Sequence, residues 1–328
     1  MLSDLDQAIE RNAERAFTFL ERLVRAPSLL GREHEAMEVF AEEAARIGLT
    51  PVRLPFSNGP LADPRAGVAP PVDSVRDGRF QVLATTTGDG PLRLLLNGHL
   101  DIVPAEAAET WTSPPYAPTR RDGKLYGRGA GDMKSGFAVG MLALESLRDV
   151  APDLFYTARL GFLAVLEEEC TGNGTLRSIA ENDVTADEVV VLEPTDLGLL
   201  LGGVGVLWAD VTVFTHAGHV EHGADLSSAI DLGMQLVDRL RQWTSGLAEA
   251  FPEPTIADDV PYFVNLGMIE GGAWRSSMPA SARMGIRIGF PRGWTADQGE
   301  GELRRLIDDF ARERKLAHPP EAKLTGFR

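Results

Sequence analysis

Cysteine is the residue this sequence has least of, and lysine is nearly as scarce. Cys170 is its one cysteine in 328 residues, which excludes an internal disulfide framework and any zinc knuckle built on thiolates. Lysine occurs only at Lys124, Lys134, Lys315 and Lys323, so arginine supplies nearly all the positive charge. Cations are also outnumbered: 32 Lys and Arg against 48 Asp and Glu leave a net charge of −16. A polyanion partner needs a basic surface to displace counterions, so nucleic-acid binding is excluded. Long apolar runs are missing as well. No stretch approaches the roughly 18 uninterrupted apolar residues of a membrane span. The N-terminus mixes Asp, Glu and Arg where a signal peptide would carry an apolar core. The expectation is a cytoplasmic protein with neither a membrane nor a nucleic acid as partner.

What is present suffices for about two domains. "MLSDLDQAIERNAERAFTFLERLVRAPS" and "GREHEAMEVFAEEAARIGL" carry helical periodicity, the second closed by Gly48. In "PLRLLLNGHLDIV" the run Leu92–Leu96 predicts a buried strand. Asn97-Gly98 then reads as a turn that delivers His99 and Asp101. "YTARLGFLAVLEEE" predicts a second buried strand, ending at Glu168 and Glu169, and "ADEVVVLEPTD" a third, ending at Glu193. Two long loops are expected, residues 57–78 and 104–132, and a helix follows in "MKSGFAVGMLALESLRDV". From about residue 204 the pattern becomes β-α-β-β-α-β, the order of a ferredoxin-like split βαβ sandwich. The fold class is therefore α/β, with residues 1–203 as one domain and 204–328 as a second.

The polar residues at the strand ends are His99, Asp132, Glu169 and Glu193, with Asp101 and Glu168 beside them. One imidazole and several carboxylates, without a thiolate, suit Zn²⁺, Co²⁺ or Mn²⁺ in a catalytic site open to water. Asp132, between the glycine-rich "GRGAGD" and a helix start, is placed to bridge two cations. Asp101 can accept the second ring N–H of His99 and fix its tautomer. Of two adjacent carboxylates, Glu169 can bind metal while Glu168 stays free to take a proton from water. Blander readings exist. Acidic runs are usually solvated faces, and Glu193 can be a helix N-terminal carboxylate beside Pro194. "GRGAGDMKSG" can be a phosphate loop, although it lacks the GKS or GKT of a P-loop. A dinucleotide site is a distant alternative, because the required G-x-G-x-x-G helix opening is absent.

The ordered set "NGHLDIVP", "LYGRGAGDMKSG", "LEEECTGNGT" and "VLEPTD" resembles the M20 metallopeptidase family. That family includes acetylornithine deacetylases, succinyl-diaminopimelate desuccinylases, aminoacylases and glutamate-releasing carboxypeptidases. The resemblance implies a zinc-peptidase-like catalytic domain, a mixed β-sheet flanked by helices, with a ferredoxin-like lid and dimerisation domain. It implies two Zn²⁺ per subunit: His99, Asp132 and Glu193 on one, the bridging Asp132 and Glu169 on the other. Glu168 then matches the general base, Asp101 the aspartate behind His99, and the Asp132–Met133 peptide bond is cis. "VTVFTHAGHVEHGADLSSAIDL" resembles the lid motif. It puts His219 where the relatives carry a histidine that crosses a homodimer interface to stabilise the oxyanion. His216 and His222 are then surface residues, and Cys170 a small buried residue behind the site. In "GGAWRSSMPASARMGIRIGF", Arg287 matches a grip on a substrate carboxylate, and Ser276 stands where many relatives carry asparagine.

The implied reaction is hydrolysis of the amide bond of an N-acyl amino acid or small peptide. The sequence departs from the family in one respect. The relatives return from the lid through a segment that carries a further zinc-binding histidine, and His318 is in the wrong place to replace it. A shortened form of a complete enzyme is expected, with apolar surface exposed on its catalytic domain. The alternative is a catalytically impaired or non-catalytic homologue that binds amino-acid derivatives or a partner protein.

Overall fold

The amphipathic N-terminal pattern forms helix α1 (Leu2–Arg25), which buries Phe19, Leu20, Leu23 and Val24. Helix α2 (His34–Arg46) follows and ends at Gly48, whose positive φ of 95° lets the chain leave the helix. These are the first elements of a computed structural model that describes residues 2–70, 72, 78–219, 221, 227–253 and 261–327. The chain divides into two units, Met1–Ala66 with Pro71–Leu199 and Gly67–Pro70 with Leu200–Arg328.

In the first unit the remaining elements are β1 (Thr50–Phe56), β2 (Arg79–Thr85), β3 (Leu92–His99), β4 (Thr119–Arg121), β5 (Lys124–Tyr126), α3 (Ser135–Val150), α4 (Pro152–Thr157), β6 (Leu160–Val165), α5 (Asn173–Ala180) and β7 (Ala186–Val191). Five strands form a mixed sheet in the order β1-β2-β6-β3-β7. The β1/β2 and β2/β6 pairs are antiparallel, and β6/β3 and β3/β7 are parallel. One face is covered by α1, α2 and α3, where the rings of Phe40, Phe137 and Phe162 meet at 5.1–5.3 Å. The other face carries a smaller cluster, Leu92, Leu95, Leu163, Val165 and Val184. Helix α5 is tied to it by Gln81 Nε2 donating to Ser178 Oγ at 2.8 Å. At the β7 edge Val189, Val190 and Val191 are 46–58% exposed.

Three sequence expectations are corrected here. Asn97-Gly98 is no turn, because β3 continues through it to His99. Gly98 is there for space: a Cβ would lie 2.5 Å from Met133 Cε and 3.1 Å from Phe137. Residues 104–132 are not structureless either, since β4 and β5 pair as a small hairpin. Tyr156 and Thr157 belong to α4 rather than to the second buried strand, because Pro152 opens a short helix before it.

The second unit contains β8 (Gly205–Phe214), β9 (Gly218–His219), α6 (Ala229–Ala250), β10 (Val264–Gly271), β11 (Ser277–Met278), β12 (Ser281–Phe290), α7 (Ala296–Glu313) and β13 (Glu321–Leu324). Four strands pair antiparallel in the order β10-β12-β8-β13, the arrangement of a split βαβ sandwich. Alternation along β8 buries Leu207, Ala209, Val211 and Val213 on the face that packs against the helices. Ser228 caps α6 through the Asp231 amide, and Thr295 with Gln298 forms a capping box on α7. Strands β9 and β11 make a separate two-stranded pair. His222 lies outside the described residues. Among those described, no helix is long and apolar enough to cross a membrane.

Candidate metal centre

Strands β3, β6 and β7 run parallel, so their C-terminal ends meet on one side. The register aligns them: His99 stands opposite Val165, and Asn97 opposite Val191. Residues just past those ends emerge together, at the edge where open α/β sheets hold their ligands.

His99, 1% exposed, is the centre of the cluster. Its Nδ1 lies 2.9 Å from the main-chain oxygen of Asp101. A carbonyl only accepts, so Nδ1 carries a proton and Nε2 is the ring nitrogen left to face the site. The sequence reading put the Asp101 carboxylate on this ring, but its nearer oxygen is 3.6 Å away. That carboxylate is engaged elsewhere, accepting the amides of Glu168 and Glu169 at 3.3 and 3.1 Å. Facing Nε2 are Asp132 Oδ1 at 3.2 Å, Glu168 Oε2 at 3.6 Å and Glu193 Oε1 at 3.6 Å. Two sets of three ligand atoms each lie within 4.8 Å of one another: His99, Asp132 and Glu169; and His99, Glu168 and Glu193. Glu193 follows β7 in irregular chain rather than opening a helix.

Asp132 reaches the centre on the loop before α3. Gly129 takes a φ of 75°, the Asp132–Met133 peptide is cis, and the Met133 side chain seats over Gly98. The amide of His99 points at Met133 Sδ, 3.1 Å away. Behind the loop the fully buried Lys134 donates to the carbonyls of Leu23 and Ala26 at 2.7 and 3.0 Å. Burial lowers its pKa to about 7. Ser28, just beyond, bonds Leu100 O with its hydroxyl, and its own carbonyl accepts the Ile102 amide at 3.1 Å. Residues 23–28 thereby brace both the Asp132 loop and the end of β3.

The electrostatics are unbalanced. Among the described residues no arginine or lysine forms an ion pair with Asp132, Glu168, Glu169 or Glu193. Burial, with the charge of Asp132, pushes Glu169 up to about 7; burial also raises Glu193 and takes Asp101 to about 6. Burial opposes a charge on His99, yet the Asp132 hydrogen bond and the surrounding carboxylates hold it at about 9. Such a cluster calls for a cation, and its hard oxygens with one imidazole fit Zn²⁺, Co²⁺ or Mn²⁺.

The other expected site residues lie in the second unit. His219, on β9 opposite Ser277, is exposed, with Nδ1 3.8 Å from the Glu221 carboxylate. Ser276 is exposed in the turn before β11. Arg287, on β12, rests 4.9 Å over the Phe263 ring, and its buried Nη1 has no hydrogen-bond partner among the described residues. His216 is exposed. Cys170 is partly buried, and burial pushes its thiol far up. The sequence reading assigned nothing to Arg79, Glu33 or Glu167, all 2–6% exposed, and gave Lys134 no role. The rarity of lysine and the third glutamate in "EEE" were the signals available.

The chain matches the family described as Peptidase family M20/M25/M40 over residues 95–313. It is 32% identical over 251 residues to a succinyl-diaminopimelate desuccinylase of Xanthomonas euvesicatoria pv. vesicatoria, covering 73% of this chain and 64% of the relative. It is 34% identical over 232 residues to an acetylornithine deacetylase of Photorhabdus laumondii, covering 70% and 58%. The chain thus spans less than two thirds of the length of these relatives. A di-peptidase structure from Saccharomyces cerevisiae has the same fold, with a TM-score of 0.72 at 12% identity, covering 100% of this chain and 81% of that one.

Proposed function

Because the chain belongs to peptidase family M20/M25/M40, we propose that it hydrolyses the amide bond of an N-acyl amino acid, of deacetylase or desuccinylase type, or of a small peptide. The observation that carries this reading is one imidazole ringed by carboxylates with which, among the described residues, no arginine or lysine forms an ion pair. His99, Asp132 and Glu193 would hold one zinc ion, and Asp132 with Glu169 a second. Bound divalent metal supplies Lewis acidity, which polarises the amide carbonyl and eases deprotonation of water.

The chain's own groups do the rest. Glu168, anchored through its amide but with a half-exposed side chain, takes the proton of the attacking water and hands it to the leaving amine. Asp101 holds the His99 ring through its carbonyl and the Glu168–Glu169 turn through its carboxylate. The first unit acts as the catalytic domain and the second as lid and dimerisation domain. His219 of a partner subunit steadies the oxyanion, a role commonly worth about 2.7–4 kcal/mol. Arg287, whose buried Nη1 has no hydrogen-bond partner among the described residues, takes a substrate carboxylate.

The test is amine release from N-acetylornithine, N-succinyl-diaminopimelate and a set of dipeptides. Turnover should vanish with a chelator and return with Zn²⁺. In Glu168→Gln the metal should stay while turnover falls about 10²–10⁴-fold. No metal-dependent turnover across the panel, or unchanged turnover in Glu168→Gln, sinks the reading in favour of a binding protein. Mixing His219→Ala with Glu168→Gln subunits should restore activity. Without that restoration, the histidine does not act across subunits.

A further inference from the structure

The three glutamates that follow β6 do not share one environment. Glu167 turns inward, 2% exposed, and adopts a left-handed φ of 58°. Its Oε1 lies 2.5 Å from Nη1 of Arg79, the first residue of β2. Arg79 Nη2 lies 2.6 Å from Glu33 Oε1, and Nε donates to Glu33 Oε2 at 3.3 Å. All three side chains are 2–3% exposed. The guanidinium also donates to Asn58 Oδ1 at 3.0 Å and lies 4.7 Å over the Phe56 ring. Glu33 in turn accepts the Gly31 amide at 2.9 Å.

Glu167 is also the hinge of the turn. Its carbonyl accepts the amides of Thr171 and Gly172 at 3.1 and 2.8 Å, and its Oε2 accepts the Thr171 hydroxyl at 3.1 Å. With this residue held inward, the next two amides reach the Asp101 carboxylate, and the next two carboxylates join the cluster around His99. A planar fork can grip two carboxylates at once, which a lysine cannot match.

We propose that Arg79 is a positioning residue for the metal centre. Acting through Glu167, it sets the turn that places Glu168 and Glu169, and Glu33 is the counter-charge that keeps the guanidinium there. The inference rests on the metal-hydrolase reading above. A purely structural ion pair would move stability and leave metal binding alone, so the readout is metal affinity in folded protein.

Zinc affinity is measured by competition with a chromophoric chelator on wild type, Arg79→Met, Glu167→Ala and Glu167→Gln, with circular dichroism giving each folded fraction. The visible spectrum of the Co²⁺ form is recorded alongside. Arg79→Met and Glu167→Ala should weaken zinc binding about tenfold or more and shift the cobalt band. Glu167→Gln keeps an acceptor for Nη1 and should stay within about threefold of wild type. If Arg79→Met does not fold, Glu167→Ala decides. Wild-type affinity and an unshifted band in Glu167→Ala overturn the inference and leave the hydrolase reading standing. A wild type that binds no zinc overturns both.

Discussion

Glu167 and Glu169 are two residues apart, yet they serve two different charge clusters. Glu167 shares Arg79 with Glu33, so its cluster contains its own cation. Glu169 shares His99 with three further carboxylates, and no arginine or lysine is paired to them among the described residues. The first cluster is complete as folded. The second is charged in excess, and burial pushes Glu169 up to about 7. Acidic clusters in one protein can therefore be told apart by whether the chain supplies the counter-charge, and only the one left short is built for an ion from outside.

Three substitutions sharpen this contrast in chelator-treated protein, followed by urea denaturation. Arg79→Met should cost the most, about 3–5 kcal/mol, because it leaves two buried carboxylates uncompensated. Glu33→Gln should cost less, about 1–3 kcal/mol, since the Arg79–Glu167 pair survives. Glu169→Gln should have the smallest effect and the opposite sign, a gain of about 1 kcal/mol at pH 8 after allowance for its partial exposure. The sign follows from its raised folded-state pKa. Ionising Glu169 removes stability as pH rises from its ordinary value near 4.5 through about 7, so the gain should shrink at pH 5. Equal destabilisation by Glu33→Gln and Glu169→Gln would erase the distinction between the clusters.

The strand ends of the centre could be read from sequence because apolar runs that stop in His or Glu are uncommon, and the parallel register aligns them. Asn97-Gly98 misled, because glycine serves equally in turns and where another segment packs close, here Met133. The β4–β5 hairpin was hidden because "TRR" and "KLY" are too short to show alternation. Asp101 lies beside His99, but which of its oxygens meets the ring depends on the turn amides that occupy its carboxylate. Arg79 and Glu33 could not have been paired with Glu167 at all. They are 46 residues apart from each other, and Glu167 is 88 from Arg79. Only the packing of α2, β2 and the turn after β6 joins them.

The three exposed valines of β7 have a colloidal consequence. Among the described residues no strand pairs with the outer edge of β7, and an unpaired apolar strand edge is a template for pairing with another chain. In dilute buffer the net charge of −16 keeps neighbouring molecules apart. Repulsion of that kind reaches only about 10 Å at 0.1 M salt, so ordinary ionic strength would let these edges meet. Light scattering should therefore rise with added salt rather than fall, and a lysine in place of Val190 should suppress the rise.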